Sequence, residues 1–407
     1  MSVPSSSVRT GPAMAPALVV VLLALLLGLQ PITTDLYLPA LPALQQHLGG
    51  SMPQVQLTLT ALLLAFGCSQ LAWGPLSDRF GRRPVLLAGL VAYVAAALGC
   101  ATAQSMEALI GWRTLQGAAM GAGVMGARAV VRDLYAPAEG AHTMSRALTG
   151  LGIIACLSAP LGGLLSDWLG WRATMGALAA FGTVALGMVL LRFTESLPRP
   201  NAHALRPAHL LRTWGQILRH PTFLAYTATT AFSYAGLFTF LASSSFTFIQ
   251  VLGWPKTAYA LVLATMAGMY IAGTVLCRRL LPRWGVRRSV AFAGLLSATG
   301  GTLMAAAALA GATSGWAYAL PFFIYQVAHG IHMPCGQSGA MGPFPHAAGT
   351  ASALNGFAMM LVAFGVGHWL GRSMDGTVLP MALGVGFWGV ATALAAWTLV
   401  RRYGESA

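Results

Sequence analysis

The sequence predicts an all-α integral membrane protein of twelve transmembrane helices, and three observations support that fold class. Hydrophobic residues make up 57% of the 407-residue chain and charged residues only 8%, whereas a soluble domain carries about 25% charged residues. Apolar runs recur along the whole chain, each near the roughly 20 residues that cross a bilayer. One long polar connection, residues 193–219, separates six of these runs from the other six.

The predicted spans follow one another with short connections. They lie at roughly 14–40, 54–76, 84–103, 107–131, 143–165, 171–192, 220–246, 258–279, 288–310, 315–341, 348–370 and 377–400. The tenth is the least regular, because Pro334 and Gly336 interrupt its apolar run. The chain therefore divides into an N-terminal six-helix half (1–192), a cytoplasmic loop between the halves (193–219) and a C-terminal six-helix half (220–407).

The two halves carry a weak internal repeat. The segment Phe80–Arg83 after the second span resembles Trp284–Arg288 after the eighth, about two hundred residues later. Related halves that meet at a cavity near the bilayer midplane are the usual architecture of a secondary transporter. The repeat therefore favours a transporter over a bundle without internal symmetry.

Arginine placement predicts the orientation. With a cytoplasmic N-terminus, most arginines fall on the inner side, and the outer loops hold only Arg172, Lys256 and Arg372. Because basic loops stay on the cytoplasmic side, both termini are expected there. The net charge of +14 is thus spread over topology-setting loops. We expect no nucleic-acid partner, because the basic residues do not form amphipathic faces. Arg128, near the inner end of the fourth span, is expected to extend to the membrane surface.

Cofactor chemistry is not indicated by the sequence. Its five cysteines lie in or beside apolar runs without C-x-x-C spacing, which is typical of buried apolar side chains. Neither H-E-x-x-H nor Cys/His ligand spacing nor a Walker loop occurs in it. We therefore expect no metal, no cofactor and no ATP, and no enzyme, since no nucleophile and base come together.

Asp35 is the one acid of nine that we place inside a predicted span. A charge in hydrocarbon costs about 3 kcal/mol or more and marks a functional candidate by default. Arg113, in the fourth span, is a second buried charge. Because burial favours the protonated acid and a nearby cation favours the carboxylate, the two would form a tunable proton site if they face one cavity. Alternatively, Asp35 caps a helix break between Pro31 and Pro39, and Arg113 is a structural anchor.

The segment Gly74–Pro84 is the most specific motif of the sequence and forms a basic loop after the second span. Glycine at 74 permits close helix approach and glycine at 81 a tight turn, while Asp78 lies near a helix end beside arginines with which it can pair. The candidate functional residues of this loop are Gly74, Asp78, Arg79, Gly81, Arg82 and Arg83. The repeat in the other half has Pro282 at the position of the aspartate, so the charge pairing is expected in one half only.

Polar and aromatic residues within spans are candidates for the wall of a substrate cavity. They are Tyr37, Gln56, Tyr234, Phe238, Tyr270, Tyr325, Gln326 and Asn355. Aromatic walls with few fixed hydrogen bonds suit varied amphipathic ligands, and ordinary helix packing is the competing interpretation for each residue. His329 and His332 could carry protons, although lone helix histidines commonly satisfy a local hydrogen bond.

These motifs resemble a known family. The order Gly-x-Leu-x-Asp-Arg-x-Gly-Arg-Arg from Gly74 resembles the signature latch loop of the major facilitator superfamily, and Arg113 followed by Gln116-Gly117 resembles its fourth-helix motif. Residues 150–163 resemble the fifth-helix motif of its antiporters. That resemblance makes Pro160, Gly162 and Gly163 the antiporter-helix residues. Segments 34–42, 127–135 and 343–354 resemble the Bcr/CflA group of bacterial drug exporters, which includes bicyclomycin and chloramphenicol resistance proteins.

The resemblance implies the major facilitator fold and a drug:proton antiporter. Such a protein exports small amphipathic compounds across the bacterial inner membrane by alternating access, with the proton as coupling ion and the lipid bilayer as surroundings. We expect a monomer. A dedicated metabolite exporter of the same fold is the main alternative, and the antiporter-type fifth span argues against import. A non-transporting sensor is a further alternative, although sensors usually carry an added soluble domain.

Overall fold

The computed structural model describes residues 14–135, 137–197, 200, 204–205, 207–344 and 347–404. Every regular element within these residues is a helix, which confirms the predicted fold class. Helices α1 to α7 are Pro16–Asp35, Leu41–Leu48, Met52–Phe80, Arg82–Thr102, Met106–Leu134, Pro137–Trp168 and Trp171–Arg192. A 3₁₀ turn, Leu38–Ala40, joins α1 to α2.

The second half begins after α8, Pro207–Leu218. Helices α9 to α13 are Pro221–Ser245, Lys256–Leu309, Trp316–Met341, Ala348–Ser373 and Leu379–Ala395. Short π-helical turns follow α9 at Phe246–Val251 and α13 at Ala396–Val400, and α14 (Arg401–Tyr403) ends the described chain.

The helices account for the twelve predicted spans. Nine helices of the described chain are long and apolar enough to cross a membrane, with α1 and α2 forming one span. At 54 residues, α10 would be about 80 Å long, far more than one bilayer needs. It breaks at Gly285, where φ is 68°, and so supplies two spans. Helices α5 and α11, with 29 and 26 residues, complete the twelve spans. They are less hydrophobic than the other nine helices because they carry more polar side chains.

Local signals explain several helix ends. Ser51 and Gln54 form a capping box at the start of α3, which satisfies amide groups that the first turn leaves free. Ser105 caps α5 by accepting a hydrogen bond from the amide of Ala108 at 3.2 Å. Gly81, with φ of 100°, separates α3 from α4. An L-residue side chain is disfavoured at that dihedral, so the sequence fixes the turn there.

The connections lie at two ends of the bundle. One, the Gly170 end, carries the connections between α1 and α3, α4 and α5, α6 and α7, α9 and α10, α10 and α11, and α12 and α13. The opposite end, the Gly81 end, carries Gly81, the segment after α7, Gly285 and the connection between α11 and α12.

The two halves meet along two seams of antiparallel helices. In the first, α3 packs on α12: a Cβ on Gly67 would lie 2.6 Å from Met360, and one on Gly367 would overlap Thr60. In the second, α6 packs on α10, where a Cβ on Gly163 would lie 3.5 Å from that of Ala260. Small residues let these backbones approach closely. At the Gly170 end Gln56 bonds the Ala242 carbonyl, and a Cβ on Gly371 would lie 2.9 Å from Pro53, so the halves are in contact there.

Candidate functional site

Helix α1 ends at Asp35 because of the proline that follows. Pro39 has no amide hydrogen, so it cannot donate to the Asp35 carbonyl four residues earlier. The chain instead continues through the 3₁₀ turn into α2, and the combined membrane span runs from Pro16 to Leu48. The helix break that Pro31 and Pro39 suggested therefore exists, and it lies inside the span rather than at its end.

The carboxylate of Asp35 lies near residues of both halves. It accepts a hydrogen bond from the hydroxyl of Thr34, at 2.9 Å, and its side chain is partly exposed. It lies close enough to Cys156, Tyr234 and Tyr259 to act on them electrostatically. The two tyrosines belong to α9 and α10. Asp35 takes part in none of the ion pairs found among the described residues, so it is an acid without a resident cation.

Arg113 has different surroundings. It is fully buried, and its guanidinium donates to Gln116 Oε1 at 2.8 Å and to the Thr33 carbonyl at 3.2 Å. It also lies 4.3 Å from the centre of the Tyr37 ring. The Thr33 carbonyl belongs to the last turn of α1, where helix carbonyls lack intrahelical donors and carry partial negative charge. Arg113 therefore stabilises the broken end of α1.

The expected side-chain pair between Asp35 and Arg113 is thus absent from this structure. Both residues lie at the end of α1: Arg113 bonds its backbone, and Asp35 lies near residues of α6, α9 and α10. Sequence spacing could not show this, because the direction of Asp35 depends on the break that follows it.

Two of the predicted cavity residues pack inside a single half. The Tyr37 hydroxyl bonds Thr58 Oγ1 at 2.8 Å, and the ring is fully buried. Tyr325 is also fully buried and donates to the Ser233 carbonyl at 2.9 Å. Ordinary helix packing, the competing interpretation, describes their contacts in this structure.

Four aromatic side chains of the C-terminal half form one connected wall, and Tyr234 is the member that lies near Asp35. Tyr234 and Phe238 stack with their centroids 6.5 Å apart and an interplanar angle of 15°. His329 lies 6.4 Å from Tyr234 and 5.7 Å from Tyr270. Such a wall offers apolar area with few fixed polar contacts, which suits amphipathic ligands of varied shape.

The two histidines have local partners. His329 Nδ1 lies 2.9 Å from Ser233 Oγ, and His332 Nε2 lies 3.2 Å from Ser297 Oγ. Both rings are buried. Their hydrogen bonds agree with the structural interpretation, and a place for either ring in a proton path stays a prediction.

The remaining polar candidates lie at three different contacts. Gln56 crosses between the halves, since its Nε2 donates to the Ala242 carbonyl at 2.7 Å. Asn355 accepts a hydrogen bond from Thr230 within the C-terminal half, at 2.9 Å. Gln326 is buried, and its Oε1 has no hydrogen-bond partner within the described part of the chain.

The predicted antiporter helix, α6, touches both the Asp35 turn and the opposite half. A Cβ on Gly162 would overlap the carbonyl of Leu36, whereas Gly163 faces α10. Pro160 lies inside α6 and cannot donate to the carbonyl of Cys156, the residue near Asp35. The motif thus places bare backbone of α6 directly beside the end of α1.

The latch segment forms a compact ion cluster around Arg82. This side chain is 1% exposed, and its guanidinium lies 2.6 Å from Asp78 and 2.7 Å from Asp133. Arg132 adds longer contacts to both acids, at 3.5 and 3.8 Å. Arg79 is exposed and lies over the Phe80 ring. The cluster ties α3 to α5 within the N-terminal half.

Glu195 completes the latch and was not among the predicted residues. It follows α7, and its carboxylate accepts the backbone amides of Arg82 at 2.9 Å and Arg83 at 3.1 Å. A Cβ on Gly81 would lie 2.5 Å from its Oε2. These amides begin α4, where helix dipole and free N–H groups favour an anion. A lone acid after a basic span end was the available signal, but the contact joins residues over a hundred positions apart.

Two further latch residues make fewer contacts. Arg83 also donates to the Leu190 carbonyl at 3.1 Å, and a Cβ on Gly74 would meet Met125 only at 3.9 Å.

Arg128 does not extend to the membrane surface as expected. Its Nη1 donates to Ser352 Oγ at 2.9 Å, so it joins α5 to α12 of the other half. A polar side chain was within reach across the seam, which the sequence alone could not indicate.

A bundle of twelve spanning helices in two halves, with polar groups along the seam, defines the class of secondary membrane transporters. The chain belongs to the Major Facilitator Superfamily, whose sequence profile matches residues 23–368. It is therefore a multi-pass transporter of small molecules and not an enzyme.

Similar proteins include named resistance proteins. A Pseudomonas aeruginosa chloramphenicol resistance protein is 33% identical over 79% of this chain and 75% of its own length. A Haemophilus influenzae bicyclomycin resistance protein homolog is 26% identical over 93% and 95%. Among solved structures, a D-xylose-proton symporter superposes with a TM-score of 0.76 at 17% identity, over 97% of this chain and all of the other. That last likeness shows the fold alone.

Proposed function

We propose that this protein is a drug:proton antiporter that exports small amphipathic compounds, antibiotics among them, across the bacterial inner membrane. The observation that supports the proposal most is Asp35, an acid inside a membrane span. It has no ion-pair partner in the described part of the chain, and it lies near Tyr234 of the aromatic wall in the other half. The resistance functions named for its relatives agree with that chemistry.

Competition between substrate and proton for Asp35 couples the export of the drug to the entry of the proton. An acid without a resident cation can hold a proton or receive a polar group of the substrate, but it does not serve both at once. In the proposed cycle Asp35 takes a proton from outside as substrate leaves, the halves rock, and cytoplasmic substrate displaces the proton. The bias comes from different affinities of the two conformations for each ligand. One acid predicts one proton for each neutral or monovalent cationic substrate.

The surrounding residues hold this site in place. Arg113 fixes the carbonyl end of α1 beside Asp35, and Gly162 keeps α6 against the next peptide. The Arg82 cluster stiffens the N-terminal half during rocking. We further propose that the protein works as a monomer with its arginine-rich Gly81 end in the cytoplasm, since basic loops remain on that side.

Uptake into inside-out vesicles with an imposed pH gradient tests the proposal. Labelled chloramphenicol should accumulate in wild-type vesicles only while the gradient lasts, and Asp35→Asn should abolish that dependence. Asp375→Asn is the matched control, because Asp375 lies in the exposed connection after α12 and its carboxylate bonds Thr377. Gradient-independent accumulation by the wild type would contradict antiport. Unchanged coupling in Asp35→Asn would remove Asp35 from its role.

A further inference from the structure

The only lysine of the chain makes an ion pair between the two halves. Lys256 begins α10, and its Nζ lies 2.7 Å from Oδ1 of Asp167, near the end of α6. The other four ion pairs among the described residues all belong to the Arg82 cluster at the opposite end. We propose that Asp167 and Lys256 are a gating pair: they hold the Gly170 end closed and separate each time that end opens.

The packing around the pair places it at the closing edge of a seam. One turn away on α6, a Cβ on Gly163 would lie 3.5 Å from Ala260 and 3.8 Å from the Lys256 carbonyl. The hydrogen bond from Gln56 to the Ala242 carbonyl crosses between the halves toward the same end. An opening that separates the halves at this end must therefore break the ion pair as well.

The exposure of the pair suits a contact that forms and breaks in each cycle. The side chains of Lys256 and Asp167 are 25% and 32% exposed, so water can take over both charges when they separate. A pair exposed to this degree biases an equilibrium by about fivefold at most. Lysine also presents a compact charge on a flexible stem, without the two-pronged geometry of arginine. Both features favour a reversible closure over a permanent clamp.

A single lysine allows the pair to be observed directly. An amine-reactive reagent applied to the purified protein, followed by mass spectrometry of the peptide that contains residue 256, measures how freely the Lys256 amine reacts. Gly367→Trp should force the α3–α12 seam apart, because even a Cβ there would overlap Thr60. We expect this variant to raise the labelling rate by up to about fivefold, the bias that the ion pair supplies to closure.

Two controls of the labelling experiment lie on α12, the helix that carries Gly367. Gly365→Trp adds the same side chain two residues away, where a Cβ meets nothing within 4 Å, and it should leave the rate unchanged. The double variant Lys256→Arg/Arg372→Lys moves the lysine to an exposed position in the last turn of α12. Adding Gly367→Trp to this variant should leave the labelling rate of the lysine unchanged. Gly67→Trp, on the facing helix, is a second way to open the seam if Gly367→Trp fails to fold.

Charge exchange tests whether the pair acts as a pair. In the vesicle assay, Asp167→Asn and Lys256→Gln should each lower uptake by up to about fivefold, and Asp167→Lys/Lys256→Asp should restore most of it. An exchange variant no better than the worse single variant would overturn the proposal, as would equal labelling rates for Gly367→Trp and Gly365→Trp. The gate rests on the proposed function only for its role in export. Labelling needs neither drug nor proton gradient, so its outcome is independent of the antiport proposal.

Discussion

Two charged sites in the N-terminal half differ in how their charges are matched. Around Arg82, one buried cation contacts two acids, and a third carboxylate covers the nearby amides of α4. At the end of α1, Asp35 has no cation and Arg113 has no acid among the described residues. Fully matched charges fix helices to one another. An unmatched acid beside a seam remains available for a proton, and this contrast separates the latch from the proposed coupling site.

We expect the largest loss of stability from removing a charge of the matched Arg82 cluster. Arg82→Ala leaves the buried carboxylate of Asp133 with only the exposed Arg132, 3.8 Å away, as a cation, which should lower the free energy of unfolding by about 3 kcal/mol. Arg79→Ala, three residues away and exposed, should change it by less than about 0.5 kcal/mol. Titration with SDS, followed by circular dichroism, measures both. Equal losses for the two variants would contradict a matched, structural cluster.

Gly162→Ala should have the next largest effect on stability, because its side chain would press on the backbone at the end of α1. Its Cβ would overlap the carbonyl of Leu36, and overpacking of this kind costs about 1–3 kcal/mol. Gly163→Ala meets Ala260 only at 3.5 Å, an ordinary contact, and should cost less than about 0.5 kcal/mol. The same SDS titration compares them. A tolerated Gly162→Ala would show that α6 does not hold the Asp35 turn.

Arg113→Met should have the smallest effect on stability. The substitution removes hydrogen bonds to Thr33 and Gln116, but it also removes a desolvated charge and leaves no acid unpaired, so the net cost should be about 1 kcal/mol. Drug uptake should fall much further, because the end of α1 loses its anchor. The comparison would fail if Arg113→Met destabilised the protein as much as Arg82→Ala, since Arg113 would then have a matched partner.

The fold was predictable because its signals are local. Apolar runs of span length need no knowledge of distant residues, and Gly285 marks the break in α10 within a few residues of its predicted position. Asp35 could be recognised by its place in the first span. Its surroundings could not, because Pro39 ends α1 at that residue and the residues near its side chain come from other helices of both halves. Glu195 and Arg128 escaped prediction for a related reason: their partners lie more than a hundred residues away.

The Lys256–Asp167 pair is another contact between distant residues that the sequence did not predict. Composition identified Lys256 as the single lysine, but no pattern in the sequence connected it to Asp167. Only the antiparallel packing of α6 on α10 brings the two charges together. Residues that join the halves are thus the part of a transporter that sequence analysis is least able to assign.

Proton release on drug binding tests the central claim most directly. Purified protein in weakly buffered detergent, with Asp35 protonated, should release close to one proton for each chloramphenicol bound if substrate and proton compete for that carboxyl group. The Asp35→Asn variant should bind drug without releasing a proton, whereas Asp375→Asn should behave like the wild type. Equal proton release by the wild type and Asp35→Asn would contradict the account, because the exchanged proton would then belong to another group.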